Sequence, residues 1–185
     1  MSYCSAIPGM KEPDKSLHQH YHDREYGFPI EDDNALFGRL ILEINQAGLS
    51  WTTILRKKES FHKAYHFFDI HTVARYKEKD FNRLMQDSGV IRNRLKIQAA
   101  IENAKTIQSI QQEYGSFRQW LDHHHPKTKP EWVKLFKQTF RFTGGEIVNE
   151  FLMSTGYLPG AHHESCPIQK KVIKAKPAWN RKPGK

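Results

Sequence analysis

His162 and Cys166 are the pair in this 185-residue chain whose types and spacing most directly offer metal chemistry. A closed structural zinc site takes four Cys or His ligands in a tetrahedron, and residues four apart share one face of a helical turn. Pro167 follows at once and reads as the stop of such a turn. Cys4 is the only other cysteine, so a site using both thiols would have to join the two ends of the chain. Spacing alone does not select the remaining ligand, since His18, His20, His22 and His163 compete for it. Two buried, unrelated cysteines would satisfy the same pattern. Four protein ligands would leave no open position for water, and the His-x-Glu with later Pro-Cys-x-x-Cys of zinc deaminases is absent, so any metal here is expected to be structural. The tract His123-His124-His125 before Pro126 is expected in an exposed loop and is assigned no role.

A second concentration of chemistry lies in Tyr21-His22-Asp23-Arg24-Glu25-Tyr26-Gly27 and in Glu43-Ile44-Asn45-Gln46-Ala47-Gly48-Leu49-Ser50-Trp51. On a helix, Glu43 falls at the rim of an apolar face formed by Leu36, Leu40 and Ala47. A carboxylate there is partly desolvated and close to the helix C-terminus. Aromatic rings from Tyr21 and Trp51, with one acceptor between them, would suit a flat heterocycle, above all a cationic one. The same residues also suit an ordinary aromatic core with a satisfied carboxylate at its edge.

The third cluster is Gln86-Asp87-Ser88-Gly89-Val90-Ile91-Arg92-Asn93-Arg94, between two helical patterns. A tight glycine-containing turn there would present backbone amides and a helix dipole to a phosphate oxygen, with Arg92, Arg94 and Lys96 adding charge. An αα-hairpin with solvated basic residues has the same sequence.

The elements that must position these groups read as helical nearly throughout. Asp32 and Asp33 can cap a helix carrying Leu36, Phe37, Leu40, Ile41, Ile44 and Ala47, ended by Gly48. Ser50 caps a second with Trp51, Ile54, Leu55, Phe61 and Tyr65 in register. A turn near 72–76, a helix around 80–86, a break at Ser88-Gly89 and a long helix from about Asn93 to Tyr114 follow. Shorter helices fit 117–122, 131–138 and 146–155, the last stopped by Gly156. No segment alternates as a strand does, and there is no internal repeat; the fold class is all-α.

Length and composition suit one domain, 38% hydrophobic and 26% charged, spanning residues 1–168. Residues 169–185 carry seven basic and no acidic residues, and a disordered basic tail is expected there. Without it the net charge of +9 shrinks to 22 basic against 20 acidic residues, so charge permits nucleic acid without establishing it. No stretch approaches the ~20 apolar residues of a membrane helix. Lys11, Glu12, Asp14 and Lys15 interrupt any signal-peptide core, so a cytoplasmic setting with reduced thiols and no membrane partner is expected.

Together these segments resemble the DNA-3-methyladenine glycosylase I family, the zinc-containing helix-hairpin-helix DNA glycosylases. The resemblance spans about residues 4–168. It rests on Tyr21-His22-Asp23-x-Glu25-x-Gly27, on Gln46-Ala47-Gly48-Leu49-Ser50-Trp51, on Gln86-Asp87-x-Gly89-x-Ile91-Arg92-x-Arg94-x-Lys96-Ile97, and on Gly156 with His162-x3-Cys166. It implies excision of 3-methyladenine from double-stranded DNA by hydrolysis of the N-glycosidic bond, with the free base and an abasic site as products. It implies a structural zinc ion on Cys4, His22, His162 and Cys166. Glu43 occupies the position of the family's base-recognising, catalytic carboxylate, with Tyr21, Trp51, Tyr26 and Gln46 around the base. Leu49 would face the gap in the duplex, and Gly89, Arg92 and Arg94 would meet the backbone. A monomer is expected. No lysine suggests Schiff-base chemistry, and the aspartate that other helix-hairpin-helix glycosylases keep after the hairpin is missing, as suits a monofunctional enzyme working on a leaving group already charged.

The chain departs from the family pattern in places. Ser5-Ala6 replaces the usual Gly-Trp after the first cysteine, which removes one pocket aromatic. Tyr26 stands for Trp, Gly145-Glu146 for small hydroxylated residues, and Glu150 for a neutral one. A glycosylase of shifted base preference, or a non-catalytic DNA-binding relative that keeps the zinc fold, would carry the same motifs.

Overall fold

Ten of the fourteen residues in the central helix of the molecule are buried, from Leu36 to Asn45, so this helix is enclosed on every side. The computed structural model describes residues 3–181, and among them every regular element is helical. In chain order these are α1 (Tyr3–Ala6), α2 (Asp14–Arg24), the central α3 (Asp33–Gln46), α4 (Trp51–Ala64), α5 (Ile70–Ala74), α6 (Glu78–Gln86), α7 (Arg94–Tyr114), α8 (Phe117–His124), α9 (Lys129–Thr139), α10 (Gly145–Ser154) and α11 (Pro167–Lys174). Short 3-10 turns occupy Ile7–Gly9, His66–Phe68 and Ala178–Asn180.

The expected caps form. Asp32 accepts from the Ala35 amide at 2.8 Å, Ser50 from Thr53 at 3.2 Å and Asn93 from Lys96 at 3.1 Å, each satisfying an orphan donor of a first turn. Gly115, at φ +90°, ends α7 in a conformation that suits glycine. Around α3 the core collects Phe37, Phe61, Tyr65, Phe117, Trp132, Phe136 and Phe151, all almost fully buried. Each such side chain contributes about 1.5–3 kcal/mol of burial before entropy is charged against it. Gly38 of α3 is required by close approach, because a Cβ there would lie 2.4 Å from the Phe68 ring.

Several expectations need correction. α2, which carries Tyr21 and His22, was not legible: its only apolar residues are Leu17 and Tyr21, too few for a periodic stripe. His123 and His124 belong to the end of α8 instead of a loop, with His124 edge-on to Trp120. The segment from His162 to Cys166 is a turn and not a helix, and Pro167 opens α11 instead of ending an element, as its fixed φ suits a first helical position. The basic tail is structured through residue 181. Ile168 and Val172 of α11 are buried with Cys166, against Cys4, Phe28 and Trp179. The Trp179 amide donates to the Gly156 carbonyl at 3.2 Å. Lysines had hidden the amphipathic spacing of Ile168 and Val172. Residues 182–185 of the expected tail lie outside the described residues.

Candidate functional site

The four groups singled out for metal chemistry converge although α1, α2 and the turn before α11 deliver them separately. Their ligand atoms all lie within 4.8 Å of one another. His22 Nε2 is 3.1 Å from His162 Nδ1, and Cys166 Sγ is 3.7 and 3.8 Å from those two nitrogens. Cys4 Sγ is 3.6 Å from His162 Nδ1. With Zn–N near 2.0–2.1 Å and Zn–S near 2.3 Å, the edges of a tetrahedral zinc site measure about 3.3–3.8 Å. The residues therefore fit the ion.

Hydrogen bonding behind the histidines points the same way. His22 Nδ1 lies 2.7 Å from Asp23 Oδ1, and His162 Nε2 lies 2.7 Å from the Tyr26 carbonyl. Each acceptor takes the ring proton, which leaves the two facing nitrogens as bare lone pairs beside two thiols. Burial pushes the His162 imidazole below the usual histidine range and so favours the neutral, ligating form. His18, a competitor by spacing, is engaged otherwise: it is within 2.8 Å of both the Tyr3 and the Thr52 hydroxyls.

Adjoining this cluster is a cavity of about 340 Å³ lined by Tyr3, Tyr21, Tyr26, Glu43, Gln46 and Trp51, and closed by Glu150, Met153, Gly160 and Ala161. It gathers all five residues assigned to base binding and catalysis. A second cavity, about 360 Å³ and floored by Phe28, Ile30, Leu42 and Phe68, contains neither Glu43 nor those rings. Glu43 is only 3% exposed. Desolvation pushes its carboxyl up to about 8, against the opposing pull of Arg39, with the Glu150 carboxylate adding to the rise. Arg39 does not neutralise it, being held by the Tyr21 hydroxyl at 2.8 Å and by Glu25 at 3.1 Å. Tyr21 and Trp51 lie 5.1 Å apart between ring centres, tilted by 58°. The Trp51 indole N–H is buried without a partner among the described residues.

Tyr3 and Glu150, to which the sequence assigned no site role, both line this cavity. Tyr3 fills the wall left without an aromatic by Ser5-Ala6, standing edge-to-face against Tyr26 at 5.3 Å, with its hydroxyl fixed by His18. It lies on the other side of Cys4 from Ser5-Ala6. Glu150, named only as a departure, reaches the cavity and accepts from the Tyr26 hydroxyl at 3.2 Å. Glu146 does not; its side chain is exposed and paired with Lys129 at 3.2 Å.

The hairpin joins α6 and α7 through residues 87–93, looser than expected. The Gly89 amide donates to Asp87 Oδ1 at 2.7 Å, and Lys57 of α4 donates to the Ser88 carbonyl. A Cβ on Gly89 would meet Ser60 and Asp87 at 2.9 Å, so glycine here lets the turn sit against α4. Arg92 and Arg94 are exposed, the latter with its guanidinium 5.0 Å from the centre of the Phe81 ring. Lys96 is not beside them. It is 5% exposed, and its ammonium donates to the carbonyls of Asn45 at 2.9 Å and Ala47 at 2.6 Å. Lysine near a helix C-terminus satisfies orphan carbonyls, so Lys96 ties the hairpin's second helix to the end of α3. Leu49, just beyond, is 38% exposed.

Comparison with known proteins places these features in company. Residues 11–134 match the methyladenine glycosylase family. The chain is 35% identical to a DNA-3-methyladenine glycosylase of Haemophilus influenzae, over 84% of this chain and 94% of the relative. It is 35% identical to DNA-3-methyladenine glycosylase 1 of Escherichia coli, over 79% and 88%. Among solved structures, the 3-methyladenine DNA glycosylase I of Staphylococcus aureus superposes with a TM-score of 0.78 at 33% identity, covering 91% of this chain and 97% of that one. Another, of a variant 3-methyladenine DNA glycosylase I in complex with 3-methyladenine, has the same score and coverage.

Proposed function

The chain belongs to the methyladenine glycosylase family, and from that premise we infer that its cavity receives 3-methyladenine flipped from damaged DNA. The enzyme hydrolyses the N-glycosidic bond in base-excision repair, releasing the free base and leaving an abasic site. The observation that carries the assignment to this cavity is the buried carboxyl of Glu43, raised by desolvation inside a ring of aromatic side chains.

Methylation at N3 makes the base cationic in DNA. When the bond to the sugar breaks, its electron pair stays with the base, which departs neutral, and water adds its hydroxyl at C1′ while its proton passes to solvent. Little proton transfer is needed, so selective binding supplies most of the catalysis. Glu43 holds its proton while the cavity is empty and ionises when a cationic base arrives to offset the charge. The resulting carboxylate accepts from the exocyclic amine and favours the oxocarbenium-like sugar. Tyr21, Tyr26 and Trp51 enclose the base, and Gln46 borders it. Extrusion of the base follows the general logic of enzymes that act on a nucleobase.

The α6–α7 turn is read as the helix-hairpin-helix that grips the backbone, with Gly89, Arg92 and Arg94 toward the phosphates and Leu49 filling the vacated stack. Zinc on Cys4, His22, His162 and Cys166 is supported by the fit of the distances and by the two facing lone pairs. When bound, such an ion supplies structural cross-linking, since four protein ligands leave no position for water. The chain is read as a monomer acting in the cytoplasm; no helix among the described residues is long and apolar enough to cross a membrane.

The deciding experiment is excision of 3-methyladenine from alkylated duplex DNA. Wild type should release the free base, and Glu43→Gln should be slower by about two orders of magnitude, the usual loss for a preorganised electrostatic contact. Equal release by both would remove Glu43 from the mechanism. Detectable binding of free 3-methyladenine with no excision would favour the non-catalytic reading.

A further inference from the structure

We propose that Glu150 is a second base-reading carboxylate, which tunes the cavity toward cationic alkylated purines and away from neutral ones. The inference rests on the base-binding assignment above and concerns a residue that the family pattern leaves neutral.

Glu150 is on the inner face of α10, on the same cavity as Glu43 of α3. Its carboxylate is aimed by the Tyr26 hydroxyl at 3.2 Å. The Tyr26 ring is itself wedged between Tyr3 at 5.3 Å and His162 at 5.7 Å, so the acceptor is preset. Among the described residues no Lys or Arg lines the cavity, and the cations that act on the two acids from outside it are shared with other partners. Arg39 is committed to Tyr21 and Glu25, and Lys129 to the exposed Glu146. Burial raises Glu150 above the usual carboxylate range, and the neighbouring Glu146 adds to the rise, while the hydrogen bonds of Tyr26 and Asn149 and the charge of Lys129 oppose it. Glu43 is faced by Glu150, Arg39, Ser154, Tyr21 and Tyr26.

Two carboxyls sharing a poorly hydrated space resist ionising together. The empty cavity therefore keeps a proton, and a neutral purine does nothing to relieve that. A cationic base brings the missing charge and lets both acids ionise around it. Discrimination thus comes from charge in addition to shape, as specificity built on a penalty against the wrong ligand does. Removing one acid should leave the cavity's shape intact and its charge preference reduced.

The test compares Glu150→Gln, which keeps an acceptor for the Tyr26 hydroxyl, with wild type and Glu150→Asp. Binding of free 3-methyladenine and of adenine is followed by tryptophan fluorescence from pH 5 to 8, and excision from alkylated DNA is timed in single turnovers. For Glu150→Gln, affinity for 3-methyladenine in its protonated form should fall about tenfold. Adenine should bind as before or better, or stay undetectable in both proteins. The acid limb of excision should move to lower pH as Glu43 loses its acidic neighbour. Glu150→Asp should recover most of the charge preference. Equal losses for both bases, or no loss for either, would overturn the proposal, as would failure of Asp to restore the preference. Failure of wild type to excise 3-methyladenine at all would instead overturn the function on which the proposal rests.

Discussion

His22 Nε2 and His162 Nδ1 face each other at 3.1 Å while the other nitrogen of each ring is held by an acceptor, Asp23 Oδ1 and the Tyr26 carbonyl. Two lone pairs so placed repel unless a cation lies between them. This pair connects the Cys/His cluster to the cavity, because Tyr26 adjoins both. Cys166→Ser, or chelation of the metal, should therefore lower zinc content and stability together, by about 4 kcal/mol, the scale at which loss of a metal site ranks among single changes. Metal analysis alongside thermal melts checks it; one zinc retained per chain with an unchanged Tm would show that the cluster is drawn wrongly.

Glu43 makes stability depend on pH with a definite sign. Its folded carboxyl titrates near 8, above the ordinary 4.5, because burial disfavours the charge. Between those values the unfolded chain has released the proton that the folded chain retains, so stability falls as pH rises from about 4.5 to about 8 and then levels off. Glu150 is raised as well and acts in the same direction. Glu43→Gln should abolish its share, melting at least about 5 °C above wild type at pH 8 and close to it at pH 4. A constant difference across that range would contradict the protonated assignment.

Tyr3 supplies one aromatic wall of the cavity beside Tyr21 and Tyr26. Tyr3→Ala should weaken 3-methyladenine binding about three- to tenfold, in line with about 0.5–1.5 kcal/mol for an aromatic contact beyond its buried area. Tyr3→Phe keeps the ring and loses only the hydroxyl contact with His18, so binding should stay within about threefold, with a small drop in Tm. Titration of the two variants with the free base distinguishes ring from hydroxyl. Equal effects would assign the role to the hydrogen bond.

The contrast between Tyr3 and Glu43 also marks what the sequence could reveal. Glu43, Gln46 and Trp51 sit on helices whose caps and apolar spacing are local, so their elements were readable, while their convergence on one cavity was implied by the family resemblance alone. Tyr3 reaches the cavity only because Cys4 is drawn to His162, a relationship spanning 158 residues that no local pattern encodes. α2 and α11 were missed for a related reason. Their stability comes from packing at the joined chain ends, and their polar faces outweigh the few apolar residues that periodicity detects. Glu150 was visible as a departure, but whether it met solvent or cavity depended on the rotation of α10, which one carboxylate does not reveal.

Lys96 and Arg92 stand four residues apart and should fail in different ways. The ammonium of Lys96 satisfies the Asn45 and Ala47 carbonyls, directly before the Gly48-Leu49 turn. Lys96→Met should cost about 1–3 kcal/mol through those unsatisfied acceptors and slow excision by loosening Leu49. It should leave the salt dependence of DNA affinity unchanged, since no phosphate contact is removed. Arg92 is exposed on the hairpin. Arg92→Ala should barely alter stability, weaken binding to all sequences alike, and reduce the slope of log affinity against log salt by about one. Binding isotherms at several salt concentrations separate the two: a reduced slope for Lys96→Met would move that lysine to the phosphate contacts, and an unchanged slope for Arg92→Ala would remove the arginine from them.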